Sequence, residues 1–270
     1  MDLFSTMKRN TFFKFVIFLT FLIFNISSFS CKSTPKKDLD SEDENVYGQG
    51  VSLSVPNKNK KGSFPNIDSQ VIEEIKVGTA SSLKNAFATL RQSDQNYTEE
   101  QAVVLNIINE VVNILYPNDK IIWPTPTLTQ ENDYISILES VKKGVYDDST
   151  LNKDFFVYVL PSLVLVTSPN SISFFLDSKK SLDLAIAEKP TSFIANYLRG
   201  LLAFRQQSYS EANSFFKKAY EIDSSYDTLK KNYAESLIKT GDNDLAFSFA
   251  SQLLEKDGEN FELLKLCAYA

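Results

Sequence analysis

A 34-residue register runs through the last third of the chain: Ala185, Ala219 and Leu253 recur at that interval, and so do Ser178, Ala212 and Ala246. Gly200, Ala234 and Ala268 keep the same step. Thirty-four residues is the length of one helix-turn-helix unit, which can bury its apolar face only by stacking on a neighbour. The register therefore predicts an all-α stack of paired helices, and a binding surface rather than a reaction centre.

Of the 270 residues, 43% are hydrophobic, enough for a sizeable core. Only the part after about Asn66 has the pattern of a globular chain. The net charge is −6, and removing residues 1–30, with Lys8, Arg9, Lys14 and Asp2, leaves 25 basic and 33 acidic residues. Phosphate neutralisation needs a concentrated basic face, so nucleic acid is not expected as a partner. The chain has no histidine, which removes the commonest general base and transition-metal ligand. It also lacks Gly-x-Ser-x-Gly, a phosphate-binding glycine loop and any paired metal motif. No enzyme, cofactor or metal is expected.

The N-terminus reads as an export signal. Lys8, Arg9 and Lys14 precede the apolar run from Phe15 to Phe24, which is shorter than the ~20 residues of a membrane span. Cys31 follows directly on Ser28-Phe29-Ser30. The segment resembles a bacterial lipoprotein signal, whose cleavage leaves an acylated cysteine as the new first residue. Ser30 fits that pattern, while Ser28 and Phe29 stand where leucine and a small residue are usual. The alternative is a secretory signal or uncleaved anchor with an incidental cysteine. The second cysteine, Cys267, lies in an apolar C-terminal stretch and reads as a small buried hydrophobe.

Residues 31–66 form a polar, aperiodic stretch predicted to be a flexible tether with an r.m.s. span of about 30–35 Å. Its acidic cluster, Asp38 to Glu44, fails as a calcium loop. Asp43 stands where the turn glycine is needed and Gln49 where the closing glutamate belongs.

Residues 67–153 read as an N-terminal helical region. Thr98 and Gln101 form a capping box ahead of a helix carrying Val104, Ile107, Ile108, Val111, Val112 and Leu115, and Pro117 stops it. The extended segment around Trp123 either pins a loop onto the helices or faces a ligand. A helix from Asp133 to Lys143 ends at Gly144. The run from Asp154 to Val166 is too short to cross a membrane and reads as a buried helix kinked at Pro161, paired with a helix from Ile172 to Glu188.

Residues 154–270 carry the repeat. Gly200, Tyr209, Ala212, Phe216 and Ala219 resemble a tetratricopeptide repeat, as do Ala234, Leu237, Gly241, Ala246 and Leu253-Leu254. Asn196 and Lys230 stand where an early tryptophan is usual. The expected fold is a short tetratricopeptide-type α-solenoid packed on the N-terminal helical region. Its C-terminal segment, Leu263 to Tyr269, is apolar and lacks a polar cap, so it is itself the cap, is followed by more of the array, or is covered by another subunit, giving a homo-oligomer through this helix.

The resemblance implies that the first helix of each unit lines a concave groove. The matching positions are Ile194, Tyr197, Leu201, Phe204 and Arg205, then Thr228, Lys231, Glu235, Ile238 and Lys239. Alternatively, Tyr197 and Phe204 pack on an adjacent helix. Leu201 and Glu235 replace the asparagines of the carboxylate-clamp variety, so that activity is not expected. The leading expectation is a lipid-anchored, membrane-bound scaffold for proteins or peptides of the bacterial cell envelope. The alternative is a transporter-associated lipoprotein that holds a small apolar ligand among phenylalanine-rich helices.

Overall fold

The computed structural model describes residues 64–92, 97–122, 127–145, 153–168 and 175–270. The signal segment, Cys31, nearly all of the tether and Trp123 lie outside the described residues, and so do the readings attached to them. Everything described belongs to one compact unit.

Twelve α-helices are present among the described residues, and six of them start at side-chain caps written in the sequence. Asp68, Thr98, Asn132, Asp154, Ser192 and Asn260 each accept backbone N–H bonds at the head of α1 (Ser69–Val77), α3 (Glu99–Leu115), α4 (Asp133–Lys142), α5 (Phe155–Val159), α8 (Phe193–Arg205) and α12 (Phe261–Tyr269). The capping box forms as expected: the Thr98 N–H donates to Gln101 Oε1 at 2.9 Å, and the Gln101 N–H donates to Thr98 Oγ1 at 3.2 Å. The remaining helices are α2 (Ala80–Gln92), α6 (Val164–Thr167), α7 (Phe175–Glu188), α9 (Tyr209–Ile222), α10 (Asp227–Thr240) and α11 (Asn243–Leu254).

The most apolar internal stretch breaks at Pro161. Without an N–H, proline cannot continue the helical ladder, so α5 gives way to a 3-10 segment at Leu160–Leu163 before α6 resumes. Leu160, Pro161, Ser162 and Leu163 are all buried. α5 and the 3-10 segment pack on α7, as the expected pairing of these segments requires.

From α8 onward, consecutive helices pack in chain order, α8 on α9, α9 on α10, α10 on α11 and α11 on α12. Between units, α10 also touches α8, and α12 touches α10. The fold is tetratricopeptide-like. Gly200 allows the close approach inside the first full unit: a Cβ there would come within 2.5 Å of the Phe216 ring. Phe216 thus fills the crossing of α8 and α9, and its ring also lies 6.1 Å from that of Tyr233 in the next unit. The helix-ending Gly241 adopts φ 83°, with its N–H and that of Asp242 returning to the last turn of α10.

The positions that depart from the repeat pattern are filled by polar side chains whose donor groups find partners. Asn196 is fully buried and donates from Nδ2 to the carbonyls of Pro190 and Ser192 at 3.0 and 2.7 Å. Lys230 is buried and its Nζ lies 3.6 Å from Asp227 Oδ1. One continuous apolar core runs from Phe64 to Phe249 and so joins the N-terminal helical region to the repeats, and a smaller cluster of Ala250, Leu253, Leu263 and Leu266 holds α12. Cys267 is half-buried rather than buried, with Sγ 3.9 Å from Ser251 Oγ.

Candidate protein-binding surface

Along α8 the residues expected to line a groove are inside the protein. Ile194, Tyr197 and Leu201 are 3%, 1% and 9% exposed. They lie in the apolar core rather than along an open groove. The cause is that helices upstream of the first full unit cover α8 on this side: both α1 and α6 pack against it. At one end Gly78, in the turn after α1, faces Ile194, and at the other the Arg205 guanidinium donates to the Leu165 carbonyl of α6.

Between these ends lies an aromatic cluster. Tyr197 stacks on Phe193 with centroids 5.8 Å apart, and the Tyr226 ring stands edge-on to Phe193, Tyr197 and Tyr116 at 5.5, 5.5 and 5.0 Å. The hydroxyls are satisfied by the N-terminal helices: Tyr226 donates to the Leu115 carbonyl at 2.6 Å and Tyr116 to the Gly78 carbonyl at 2.7 Å. Asn232 Nδ2 donates to the Tyr197 hydroxyl at 2.9 Å. Burial, with the neighbouring Tyr226 second, pushes the Tyr116 and Tyr197 hydroxyls well above the usual phenol range, so both stay neutral. Tyr226 and Gly78 escaped the sequence reading because both lie outside the repeat positions. Asp68 to Gly78, a capped helix ended by glycine, was the available local signal, but nothing local says which surface it meets.

Gly78 takes φ 74°, and a Cβ there would lie 2.6 Å from Ile194 Cγ2. Gly78→Ala therefore combines left-handed strain with a clash at the docking surface. We expect it to lower unfolding stability by about 2–3 kcal/mol, measured by urea denaturation. It should also raise tyrosine solvent exposure, read from the second-derivative absorbance of the folded protein.

The second half of the expected groove is open. Lys231 and Glu235 on α10 are half-buried, and Lys239 and Thr228 are exposed. Phe204, Arg205 and Ile238 are half-buried at the border with the filled half, where the Phe204 ring packs 5.5 Å from Tyr209. The surface continues onto α12, where Glu262, Lys265 and Tyr269 repeat the positions of Thr228, Lys231 and Glu235 one step on. Burial raises the Glu235 carboxyl above its ordinary value, Lys231 opposes that, and Glu262 adds to it, with Lys239 and Lys265 also opposing. In a chain of net charge −6, three lysines surround one partly desolvated carboxylate here.

The phenylalanine-rich segments fill one another. Phe64, Tyr134 and Phe156 meet ring to ring at 5.1–6.1 Å, and Phe155 stands edge-on to Phe156 at 5.8 Å. A cleft of about 470 Å³ between the α1–α2 turn and the α9–α10 turn is lined by Val77, Thr79, Ser81, Lys84, Asp223 and Ser225 among others. Its ionised rim does not suit an apolar ligand. Among the described residues, no helix is long and apolar enough to cross a membrane.

No protein-family profile and no curated protein matches the chain. A search of solved structures finds a thermophilic tetratricopeptide repeat protein from Thermus thermophilus, 13% identical, covering 74% of this chain and 94% of that one with a TM-score of 0.39.

Proposed function

We propose that this protein is a non-enzymatic, lipid-anchored adaptor of the bacterial cell envelope that grips an acidic segment of another protein on the open concave surface of α10 and α12. The observation that carries this reading is the asymmetry of the side that the resemblance assigns to the groove. The protein's own helices fill it at α8, whereas at α10 it stays accessible and carries Lys231, Glu235 and Lys239, with Lys265 beside them. A partner carboxylate would meet lysines there, and an apolar anchor would rest on the half-buried Phe204 and Ile238. The anchor rests on the sequence alone: a basic, apolar leader followed by Cys31 and a polar tether.

The test is crosslinking and affinity recovery of the full-length chain from envelope fractions, beside the Lys231→Glu/Lys239→Glu variant. Lys231 is only half-buried and Lys239 is exposed, so the variant keeps its fold. Capture of a specific partner should fall about tenfold or more, as for charge reversal at a complementary surface. Capture indifferent to the reversal would refute the surface. Native mass spectrometry that finds a bound small ligand and no protein partner would favour the transporter-associated alternative. Labelled palmitate should enter the wild type and not Cys31→Ala; equal incorporation would exclude the anchor at that residue.

A further inference from the structure

Lys231, Glu235 and Lys239 follow one another along α10 at four-residue steps and so share one face, with Ile238 seven residues, about two turns, from Lys231. Arg205 stands at the border of this face with α8, and Glu262 and Lys265 of α12 act on Glu235 from the other side. Four cations thus meet two carboxylates in a chain whose net charge is −6. The corresponding side of α8 is already covered by residues from further up the same chain. Still further upstream lies the complementary charge: Asp38, Asp40, Glu42, Asp43 and Glu44 put five carboxylates into seven positions, and Val46 and Tyr47 follow within three more. Lys36 and Lys37 precede this run, and Lys58 lies 14 residues beyond it, so the run itself is free of positive charge.

We propose that residues 38–44 of this chain dock on the α10 surface as an internal competitor of the partner segment, with Val46 and Tyr47 resting beside Phe204 and Ile238. The inference rests on the binding surface proposed above and adds how that surface is regulated. Carboxylates for the lysines and an apolar anchor for the half-buried Phe204 and Ile238 stand together in this one segment. A partner must therefore displace the chain's own acidic run before it is held.

The connection is long enough. Nineteen residues lie between Glu44 and Phe64, and a polar linker of that length spans about 25 Å r.m.s. and about 65 Å at full extension. From Phe64 the chain passes into α1, whose last residue, Val77, lines one cleft with Ser225, two residues before α10. α1 rises about 14 Å and α10 about 21 Å, so Lys231 and Lys239 lie within reach of the run. A linker of this kind imposes an effective concentration of about 1 mM, at which a run with a Kd of about 0.1 mM in trans holds the surface about nine-tenths of the time. A rival segment then binds about tenfold more weakly.

The test compares the full-length chain with a variant whose run is neutralised, Asp38→Asn/Asp40→Asn/Glu42→Gln/Asp43→Asn/Glu44→Gln. Carbodiimide joins carboxylates to amines in contact, and mass spectrometry locates the links. In the wild type, residues 38–44 should link to Lys231, Lys239 or Lys265 well above the exposed Lys180 and Lys217, with the Lys256 to Asp227 pair, 2.8 Å apart, as internal standard. A labelled peptide of residues 36–49 should bind the neutralised variant with a Kd near 0.1 mM and the wild type about tenfold more weakly. Adding Lys231→Glu/Lys239→Glu to the neutralised variant should abolish that binding. Links spread evenly over Lys180, Lys217 and the α10 lysines would overturn the proposal, and so would equal peptide binding by the wild type and the neutralised variant. If either occurs while partner capture still depends on Lys231 and Lys239, the binding surface stands without its internal competitor. Links focused on α10, with capture indifferent to the lysine reversal, would instead remove the partner and leave the surface to the chain itself.

Discussion

Replacing Arg199 with alanine is expected to cost about 3 kcal/mol of unfolding free energy, measured by urea denaturation. Arg199 lies in the middle of α8 with its side chain 1% exposed. Nε donates to Asp183 Oδ1 of α7 at 2.8 Å, Nη2 donates to Glu211 Oε1 of α9 at 2.6 Å, and the guanidinium covers the Phe215 ring at 4.8 Å. One side chain therefore ties three consecutive helices. Removing it leaves two carboxylates facing a void, although at 43% and 39% exposure both keep part of their water, which sets the loss near the lower end for a broken buried pair. Arg199→Met keeps the aliphatic volume and should cost clearly less than alanine. Equal losses in the two variants would show that the ion pairs, not the packing, dominate.

The same cluster has a pH signature. Burial opposes ionisation of Asp183, but bonds from Lys179 and Arg199 outweigh it, so the carboxyl titrates below its ordinary value. A carboxyl depressed in the folded state contributes stability above the unfolded pKa, and that contribution is lost as the pH falls through the folded one. The wild type should therefore lose stability on acidification below about pH 4 more steeply than Arg199→Met. Chemical denaturation at stepped pH measures the difference.

The second large effect is at the crossing of α8 and α9. In a helix, alanine in place of glycine normally adds about 1 kcal/mol of stability. At Gly200 the sign should reverse, with a net loss of about 1–3 kcal/mol, because the new Cβ would lie 2.5–2.6 Å from the Phe216 ring. That ring cannot yield, since it is fully buried and wedged between Tyr197 and Tyr233. The next unit contains the complementary solution. Ala234 occupies the place of Gly200, and Ala250 occupies the place of Phe216. Phe216→Ala alone should cost about 3–5 kcal/mol through the cavity it leaves. In that background Gly200→Ala should become neutral or stabilising, a positive coupling read from the double-mutant cycle. Additive losses would mean that the two positions do not share one crossing.

Much of this architecture is legible in the residues. The capping box at Thr98, the stop at Gly144, the break at Pro161 and the paired helices from Phe193 to Leu254 all follow from local rules of hydrogen bonding and periodicity, and the structure reproduces them. The candidate surface is only half legible. Register and resemblance place Tyr197 and Lys231 on the same side of successive units, and the two are equivalent in sequence. One is buried beneath Tyr226, Phe193 and the helices upstream, while the other lies at the open surface. Arg199 escaped notice for a related reason. An arginine in a helix reads as solvated until its carboxylates, 16 and 12 residues away in the chain, are seen on both sides of it.

The sequence by itself determined the helix-pair unit, its 34-residue step and the small residues where helices cross, because these depend on spacing along one chain and on side-chain volume. Only the tertiary structure decided which part of the concave side is free. That depends on where the helices from Ser69 to Thr167 settle, and contacts such as Tyr226 to Leu115, 111 residues apart, leave no periodic trace. Docking those helices on α8 buries aromatic surface that would otherwise face water, and it leaves the lysines of α10 accessible.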